Sequence, residues 1–304
     1  MAKIMTIMRL IRLPNLLIIA LTQVLLGLIL YANIDQTALN TGQFALLVVT
    51  TMFIAASGYV INDIYDYEID LINKPQKVIV GLKITQKQAW WFYWIINILG
   101  GWVALYLAYV IQDFRQLLIY PSAVWMLWAY AKRYKKSFVI GNLVVAAYCA
   151  LVPGIIWYAE RQPFVELLNQ NKSAAIFVRN VFVAYALMAF LTTVWREIIK
   201  DMEDLKGDKA FGSASIPAKY GISLAQKMAT ALGVGVILLM LYYALYLLDT
   251  RTWWALGYLM VPIVLAITTV ILPFKSLTIN VLHQVSRQIK WLMVLGIGYL
   301  FFLV

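Results

Sequence analysis

Apolar residues run through this chain in long unbroken stretches. A membrane-crossing helix needs about 20 mostly apolar residues, with a range of roughly 17–25. Stretches free of Asp, Glu, Lys and Arg predict nine such spans, at 14–32, 44–62, 88–110, 117–131, 137–158, 180–195, 228–248, 252–272 and 289–304. The fourth and sixth are short and the ninth ends with the chain, so eight spans is the alternative. The only charge in any of them is Lys290, at the very edge of the ninth.

Composition supports the pattern. Of 304 residues, 63% are hydrophobic and 13% charged, with a mean hydropathy of +0.80, where ordinary globular chains carry about 25% charged residues. A disordered chain, a disulfide scaffold and a typical cytosolic enzyme are excluded. The expectation is an all-α, polytopic protein of the cell membrane. No low-complexity segment or flexible linker interrupts the chain, so 1–304 reads as one domain. The single cysteine, Cys149, lies in the apolar run 144–156 and has no partner for an internal disulfide; a small buried hydrophobe is its simplest reading. Lys3, Arg9 and Arg12 precede the first apolar run in the manner of a signal peptide. That run is long and no small-residue cleavage site follows it clearly, so it reads as a retained first span.

Charge gives sidedness. The net charge is +11, which in another setting would suggest nucleic acid. Here it separates by side, because loops facing the cytoplasm collect Lys and Arg. The N-terminus and the loops at 63–87, 132–136, 196–227 and 273–290 hold 20 of the 25 basic residues; Arg115, Arg161, Lys172, Arg179 and Arg251 are left for the other side. The N-terminus and the two long loops are therefore expected in the cytoplasm, with no nucleic-acid partner and no obligate protein partner evident. Trp90, Trp91, Trp94, Trp195, Trp253, Trp254 and Trp291 lie near span ends and read as interfacial anchors.

Acidic residues are concentrated. Nine of the 14 fall in the loops 63–87 and 196–227. The first loop opens Asn62-Asp63-Ile64-Tyr65-Asp66-Tyr67-Glu68-Ile69-Asp70; the second contains Lys200-Asp201-Met202-Glu203-Asp204-Leu205-Lys206-Gly207-Asp208. Aspartates at 63, 66, 70 and at 201, 204, 208 share one spacing, and steps of three and four put three carboxylates on one face of a helix. Two unit charges about 5 Å apart at an effective dielectric of about 20 repel by roughly 3 kcal/mol, and folding does not ask for that twice. Mg²⁺ relieves it, favouring one or two carboxylates together with phosphate oxygens. A solvated acidic loop explains either cluster singly; two matched clusters, each flanked by lysines, favour metal–diphosphate binding. Lys74 and Lys77 follow the first cluster, and Arg196, Lys200, Lys206 and Lys209 surround the second. A third basic run, 132–136, ends the fourth span.

These motifs, about 140 positions apart in a chain of this kind, resemble the UbiA superfamily of intramembrane prenyltransferases. Arg196-Glu197, Asp201, Glu203-Asp204, Gly207-Asp208, Gly212, Ser215-Ile216-Pro217 and Gly221 are similar to its second motif. The Lys-Asp-x-Glu-Asp-x-x-Gly-Asp run and Gly141-Asn142 look most like the digeranylgeranylglyceryl phosphate synthase branch. The resemblance implies nine helices around a central apolar chamber, capped by the cytoplasmic loops. It implies Mg²⁺ held by Asn62, Asp66, Asp70, Asp201, Asp204 and Asp208, with Asp63 close by, and a catalytic role for Asp66, Asp70, Asp204 and Asp208. Lys74, Lys77, Arg196 and Lys200 would touch the diphosphate of an isoprenyl donor, geranylgeranyl diphosphate in this branch, and Asn15 the acceptor head group. The donor's allylic C–O bond would ionise and a hydrophobic acceptor, geranylgeranylglyceryl phosphate in this branch, would capture the carbocation.

Some positions depart from the family pattern. After the first motif stands Asn73-Lys74-Pro75-Gln76-Lys77-Val78, where family members often carry Asn-Arg-Pro-x-Arg-Pro. Charge is kept without the bidentate geometry of Arg. Family members pair a Tyr with a Lys about one turn later at the end of the fourth span; here Tyr130 is followed by Lys135, five residues on. Prenylation of an aromatic quinone precursor and acceptor-free terpene cyclisation are the alternatives within the enzyme class. A transporter is the alternative outside it, and charge-free mid-spans disfavour that. The single histidine, His283, falls in the stretch 275–290, which reads as a cytoplasmic interfacial helix, and has no neighbouring ligand residue.

Overall fold

A computed structural model describes residues 2–137 and 139–304, the side chains of Ala2, Arg115, Gln116 and Lys136 excepted. Regular structure within them is helical: α1 (Ala2–Leu10), α2 (Leu13–Tyr31), α3 (Thr41–Tyr65), α4 (Tyr67–Asn73), α5 (Gln86–Val110), α6 (Ile119–Lys132), α7 (Ile140–Ala159), α8 (Arg161–Gln170), α9 (Lys172–Glu203), α10 (Leu205–Ala210), α11 (Ile216–Tyr220), α12 (Ile222–Asp249), α13 (Trp253–Lys275) and α14 (Ile279–Tyr299). Seven of these, α2, α3, α5, α7, α9, α12 and α13, are long and apolar enough to cross a membrane. The protein is multi-pass. Two more helices lie where spans were expected: α6 has 14 residues, and α14 carries Arg287 and Lys290.

Span boundaries follow the helices rather than the apolar runs. The sixth span, expected to be short at 180–195, is part of the 32-residue α9. Arg196, Glu197, Lys200 and Asp201 end an apolar run, but all are compatible with helix, so the second acidic cluster rides largely on α9 and not on a loop. The separate interfacial helix expected over 275–290 does not form. Helix α13 ends at Lys275, and α14 starts at Ile279, where the Thr278 hydroxyl accepts from the Val281 N–H at 3.4 Å. His283 lies in the first turns of α14.

The chain divides into two compact units. The first comprises Met1–Lys135 with Val152–Phe182. Its centre is α3, which packs against α2, α5 and α6. Reciprocal capping boxes start α3 (Asn40 with Gln43) and α5 (Thr85 with Gln88), satisfying backbone donors that a membrane helix leaves open at its first turn. Helix α5 shows Trp91, Trp94, Ile98, Trp102 and Tyr106 on an exposed stripe, the face suited to lipid. At the end of the unit away from the first acidic cluster, the buried Glu160 carboxylate accepts from the Tyr31 hydroxyl at 3.0 Å and from the backbone N–H groups of Ala38 and Leu39. This ties the α2–α3 connection to the end of α7.

The second unit comprises Lys136–Leu151 with Val183–Val304. Helix α13 packs between α12 and α14, and its core takes in Trp195, Ile198, Ile199 and Met202 from α9. Trp195 is 1% exposed, so it is a core residue and not an interfacial anchor. Trp253, Trp254 and Trp291 are exposed as anchors should be.

Close approach in the second unit depends on Gly233. A Cβ there would meet Val270 Cγ2 at 2.5 Å and Trp195 Cζ2 at 2.7 Å, so one of these close-packed neighbours would have to shift. Gly233→Ala should cost about 1–3 kcal/mol and lower the melting temperature in detergent. Gly235→Ala, with nothing within 4 Å of the added methyl, should not. Equal melting of the two variants would show the packing to be wrong.

Candidate functional site

Both acidic motifs are built on a broken helix. Helix α3 stops at Tyr65 and α4 begins at Tyr67; α9 stops at Glu203 and α10 begins at Leu205. The residue left at each break is the middle aspartate. Asp66 has φ −87°, ψ −3° and Asp204 φ −92°, ψ 5°, both in the sparsely populated bridge region. The hydrogen-bond ladder nevertheless crosses the break. Asp66 N–H donates to Asn62 at 2.9 Å and Asp70 N–H to Asp66 at 2.8 Å; Asp204 N–H donates to Lys200 at 2.8 Å and Asp208 N–H to Asp204 at 3.1 Å. One continuous helical face was expected for each trio. Each is instead bent at its centre, in the same way in both motifs, so the sequence match extends to the backbone.

In the first motif the carboxylates are held by cations from other segments. Asp66 is buried, at 4% exposure. It accepts from Asn62 Nδ2 at 2.5 Å and pairs with the Lys135 ammonium, which also reaches Asn62 Oδ1 at 3.3 Å. Burial alone would lower the pKa of Lys135; Asp66 outweighs it, with Tyr130 and Asp70 adding, and the ammonium stays charged. Five residues separate Tyr130 and Lys135, yet they meet. Helix α6 ends at Lys132, and a 3₁₀ turn over Tyr134–Lys136 carries Lys135 back. Asp63 is paired with Arg12 at 2.9 Å. Burial opposes the charge on Arg12, and Asp63 and Tyr59 override it and raise its pKa. The Arg12 guanidinium lies 4.8 Å from the centre of the Tyr59 ring, whose hydroxyl accepts from Asn15 Nδ2 at 3.4 Å. Burial, with Asp66 adding, pushes the Asp70 carboxyl up to about 6, against the pull of Lys135 and Lys74. Lys74 ends α4, and Lys77 is exposed in the following 3₁₀ turn.

The second motif uses neutral donors on its aspartates. Asn142 Nδ2 donates to Asp201 at 2.8 Å and Ser215 Oγ to Asp208 at 2.6 Å. The nearby cations turn to a glutamate. Lys200 contacts Glu197 at 2.8 Å, and Arg196 lies 3.7 Å from it while also reaching the Ser286 carbonyl. His283 stands 3.2 Å from Glu203. Arg196 and Lys200 were expected to meet a diphosphate; both are engaged with Glu197 here.

Among the described residues no three His, Cys, Asp or Glu side chains form a ready-made metal cage. Mg²⁺ dehydrates reluctantly and takes one or two carboxylates with substrate oxygens. The first motif fits a hard cation in one respect. Asn62 Oδ1 and Asp66 Oδ2 converge on a positive charge already, the Lys135 ammonium. Sequence reasoning did not assign Arg12, Glu197, Glu203 or Ser215 to the site. Arg12, Glu203 and Ser215 find partners 51, 80 and 7 residues away, beyond any local spacing rule, whereas Glu197 meets its neighbours Arg196 and Lys200 on the same helix.

Known proteins resemble this chain in sequence and in fold. The UbiA prenyltransferase family model matches residues 15–277. A digeranylgeranylglyceryl phosphate synthase of Thermococcus sibiricus is 32% identical over 224 residues, covering 69% of this chain and 72% of the relative. That of Methanococcus vannielii is 36% identical over 214 residues, covering 70% and 67%. A solved structure bearing on digeranylgeranylglyceryl phosphate synthase in membranes aligns over 99% of this chain and 98% of its own, with 28% identity and a TM-score of 0.62. A UbiA homologue from Archaeoglobus fulgidus, bound to DMAPP and Mg²⁺, shares the fold at 16% identity and a TM-score of 0.55, over 97% of this chain and 99% of its own. With the model matching most of its length, this chain belongs to the UbiA prenyltransferase family.

Proposed function

We propose that the protein transfers a geranylgeranyl group from its diphosphate to the free hydroxyl of geranylgeranylglyceryl phosphate, with Mg²⁺ as cofactor. The observation that carries the reading is the repeated broken-helix aspartate motif, in a family of prenyltransferases. The acceptor follows the relatives, which are synthases of digeranylgeranylglyceryl phosphate. Prenylation of an aromatic quinone precursor is the second reading within the family.

Asn62, Asp66 and Asp70 hold cation in one unit and Asp201, Asp204 and Asp208 in the other. Bound Mg²⁺ neutralises charge on the diphosphate as the allylic C–O bond breaks. In that step the bonding electrons leave with the diphosphate; the acceptor oxygen then bonds to the allylic carbon and gives up its proton. Asp63 is engaged by Arg12, which favours a positioning role beside the cation. With Asp66 holding a divalent cation, the Lys135 ammonium would be free to meet diphosphate oxygens, a role that charge also suggests for Lys74 and for the exposed Lys77. Arg196 and Lys200 serve the second motif in the same way from Glu197. Asn15 and Tyr130 belong to the substrate-facing set through Tyr59 and Lys135. The uncharged mid-spans keep water from the carbocation.

We read α6 and α14 as the remaining two of nine spans. The 20-to-5 division of basic residues supports a cytoplasmic N-terminus and cytoplasmic motifs. The match across 15–277 supports one catalytic domain over 1–304.

The reaction is tested on purified protein in lipid, given labelled geranylgeranyl diphosphate with Mg²⁺ or EDTA and one acceptor at a time. A Mg²⁺-dependent adduct with geranylgeranylglyceryl phosphate is expected. An adduct only with 4-hydroxybenzoate or 1,4-dihydroxy-2-naphthoate would move the assignment to the second reading, and donor binding without turnover would revive transport.

Replacing a ligand carboxylate tests the motifs. Asp66→Asn and Asp204→Asn should each lower kcat at least about a thousandfold, the scale of one lost electrostatic contact to the leaving group, while far-UV circular dichroism and elution volume stay unchanged. Turnover like the unmodified protein in either variant refutes the assignment.

Asp70 gives a pH dependence. Its carboxyl is raised to about 6, so the metal-free fold favours the protonated form. That contribution to stability is complete below the unfolded value near 4 and is lost as pH rises through about 6. Mg²⁺ takes the ionised form. Its affinity should therefore fall by up to about tenfold per pH unit below pH 6, and Asp70→Asn should flatten that fall. An unchanged slope in the variant would remove Asp70 from the metal set.

A further inference from the structure

Helix α1 has an apolar face that the protein does not cover. At 3.6 residues per turn, Ile7, Ile4, Met8 and Met5 form one continuous arc, with Lys3 at one edge and Arg9 at the other. The four are 39%, 62%, 39% and 54% exposed, whereas Leu10, on the opposite face, is fully buried. An apolar arc bordered by cations on both sides is the pattern of a helix lying in a bilayer interface, apolar side chains among acyl chains and ammonium or guanidinium groups at the phosphates.

Three further observations fix where that face must be. Only Ile11 and Arg12 separate α1 from α2, a helix long and apolar enough to cross a membrane, so α1 cannot leave the bilayer surface. Arg12 turns the chain between them in the left-handed conformation, φ 52° and ψ 51°, which a non-glycine residue adopts only under strain. Its guanidinium is anchored to Asp63 and Tyr59, so α1 lies at the same end of α3 as the first aspartate motif. The buried Leu10 belongs to the same core as Val60, Ile61 and Ile64 of α3.

We propose that α1 is a docking element for an anionic lipid surface, its Ile4–Met8 arc inserted among acyl chains and Lys3 and Arg9 bound to lipid phosphates. Seating α1 in this way holds the turn at Arg12, and through Arg12 the carboxylate of Asp63. The inference rests on the membrane assignment and not on the choice of donor or acceptor.

The test uses the full chain in vesicles of phosphatidylcholine with or without phosphatidylglycerol. A nitroxide is attached at Met5→Cys in a Cys149→Ser background, and its collisions with oxygen and with a water-soluble nickel chelate are measured. The label should favour oxygen and be shielded from nickel, and more so when phosphatidylglycerol is present. Lys3→Glu with Arg9→Glu should lower the ratio of inserted to released helix in the anionic vesicles, by about fivefold for each cation removed, and change it less in neutral ones. Free access of nickel in both vesicles would overturn the proposal. So would shielding from both reagents, which would mean a protein contact with a second copy, and so would an equal effect of the charge reversal in the two lipids.

Discussion

A carboxylate at the end of a membrane-spanning helix, 4% exposed, is costly to bury without a cation beside it. Asp66 has that problem and Lys135 answers it. Much of the first unit's motif end follows from that contact. Helix α6 must stop at Lys132 so that a 3₁₀ turn can bring Lys135 back. Asn62 must sit one turn before Asp66 to share the ammonium. The helix breaks at Asp66, and Asp70 lies in the first turn of α4. The Lys135 ammonium thus brings positive charge to Asn62 Oδ1 and Asp66 Oδ2, the oxygens proposed to hold the cation.

The second motif shares the backbone break and adds an amide and a hydroxyl donor. Asp201 and Asp208 accept from an amide and a hydroxyl, and the cations Arg196 and Lys200 lean on Glu197. Neutral donors hold a carboxylate in place without cancelling its charge.

Much of this was legible in the chain. Charge-free runs located the membrane helices because the hydrocarbon core excludes charge whatever the fold. They misjudged α9 and α14, because Arg196, Lys200, Arg287 and Lys290 end an apolar run without ending a helix. The aspartate spacing correctly joined residues 62–70 to 200–208. It did not reveal the break at the middle residue, since φ and ψ near −90° and 0° leave i to i+4 bonds intact. The family pattern drew attention to Tyr130 and Lys135, but their five-residue spacing departed from it and did not pair them. The pairs Arg12–Asp63, Asn142–Asp201 and His283–Glu203 join segments 51 to 80 residues apart, and no periodicity carries that information.

The central claim is that both aspartate motifs hold divalent cation for one kind of ligand, a diphosphate. Electron paramagnetic resonance of Mn²⁺ tests it directly, in protein loaded with an unreactive geranylgeranyl thiodiphosphate. The account predicts tightly bound Mn²⁺ with phosphorus hyperfine coupling, reduced by Asp66→Asn and by Asp204→Asn alike. Full Mn²⁺ binding with unchanged phosphorus coupling in either variant would contradict it.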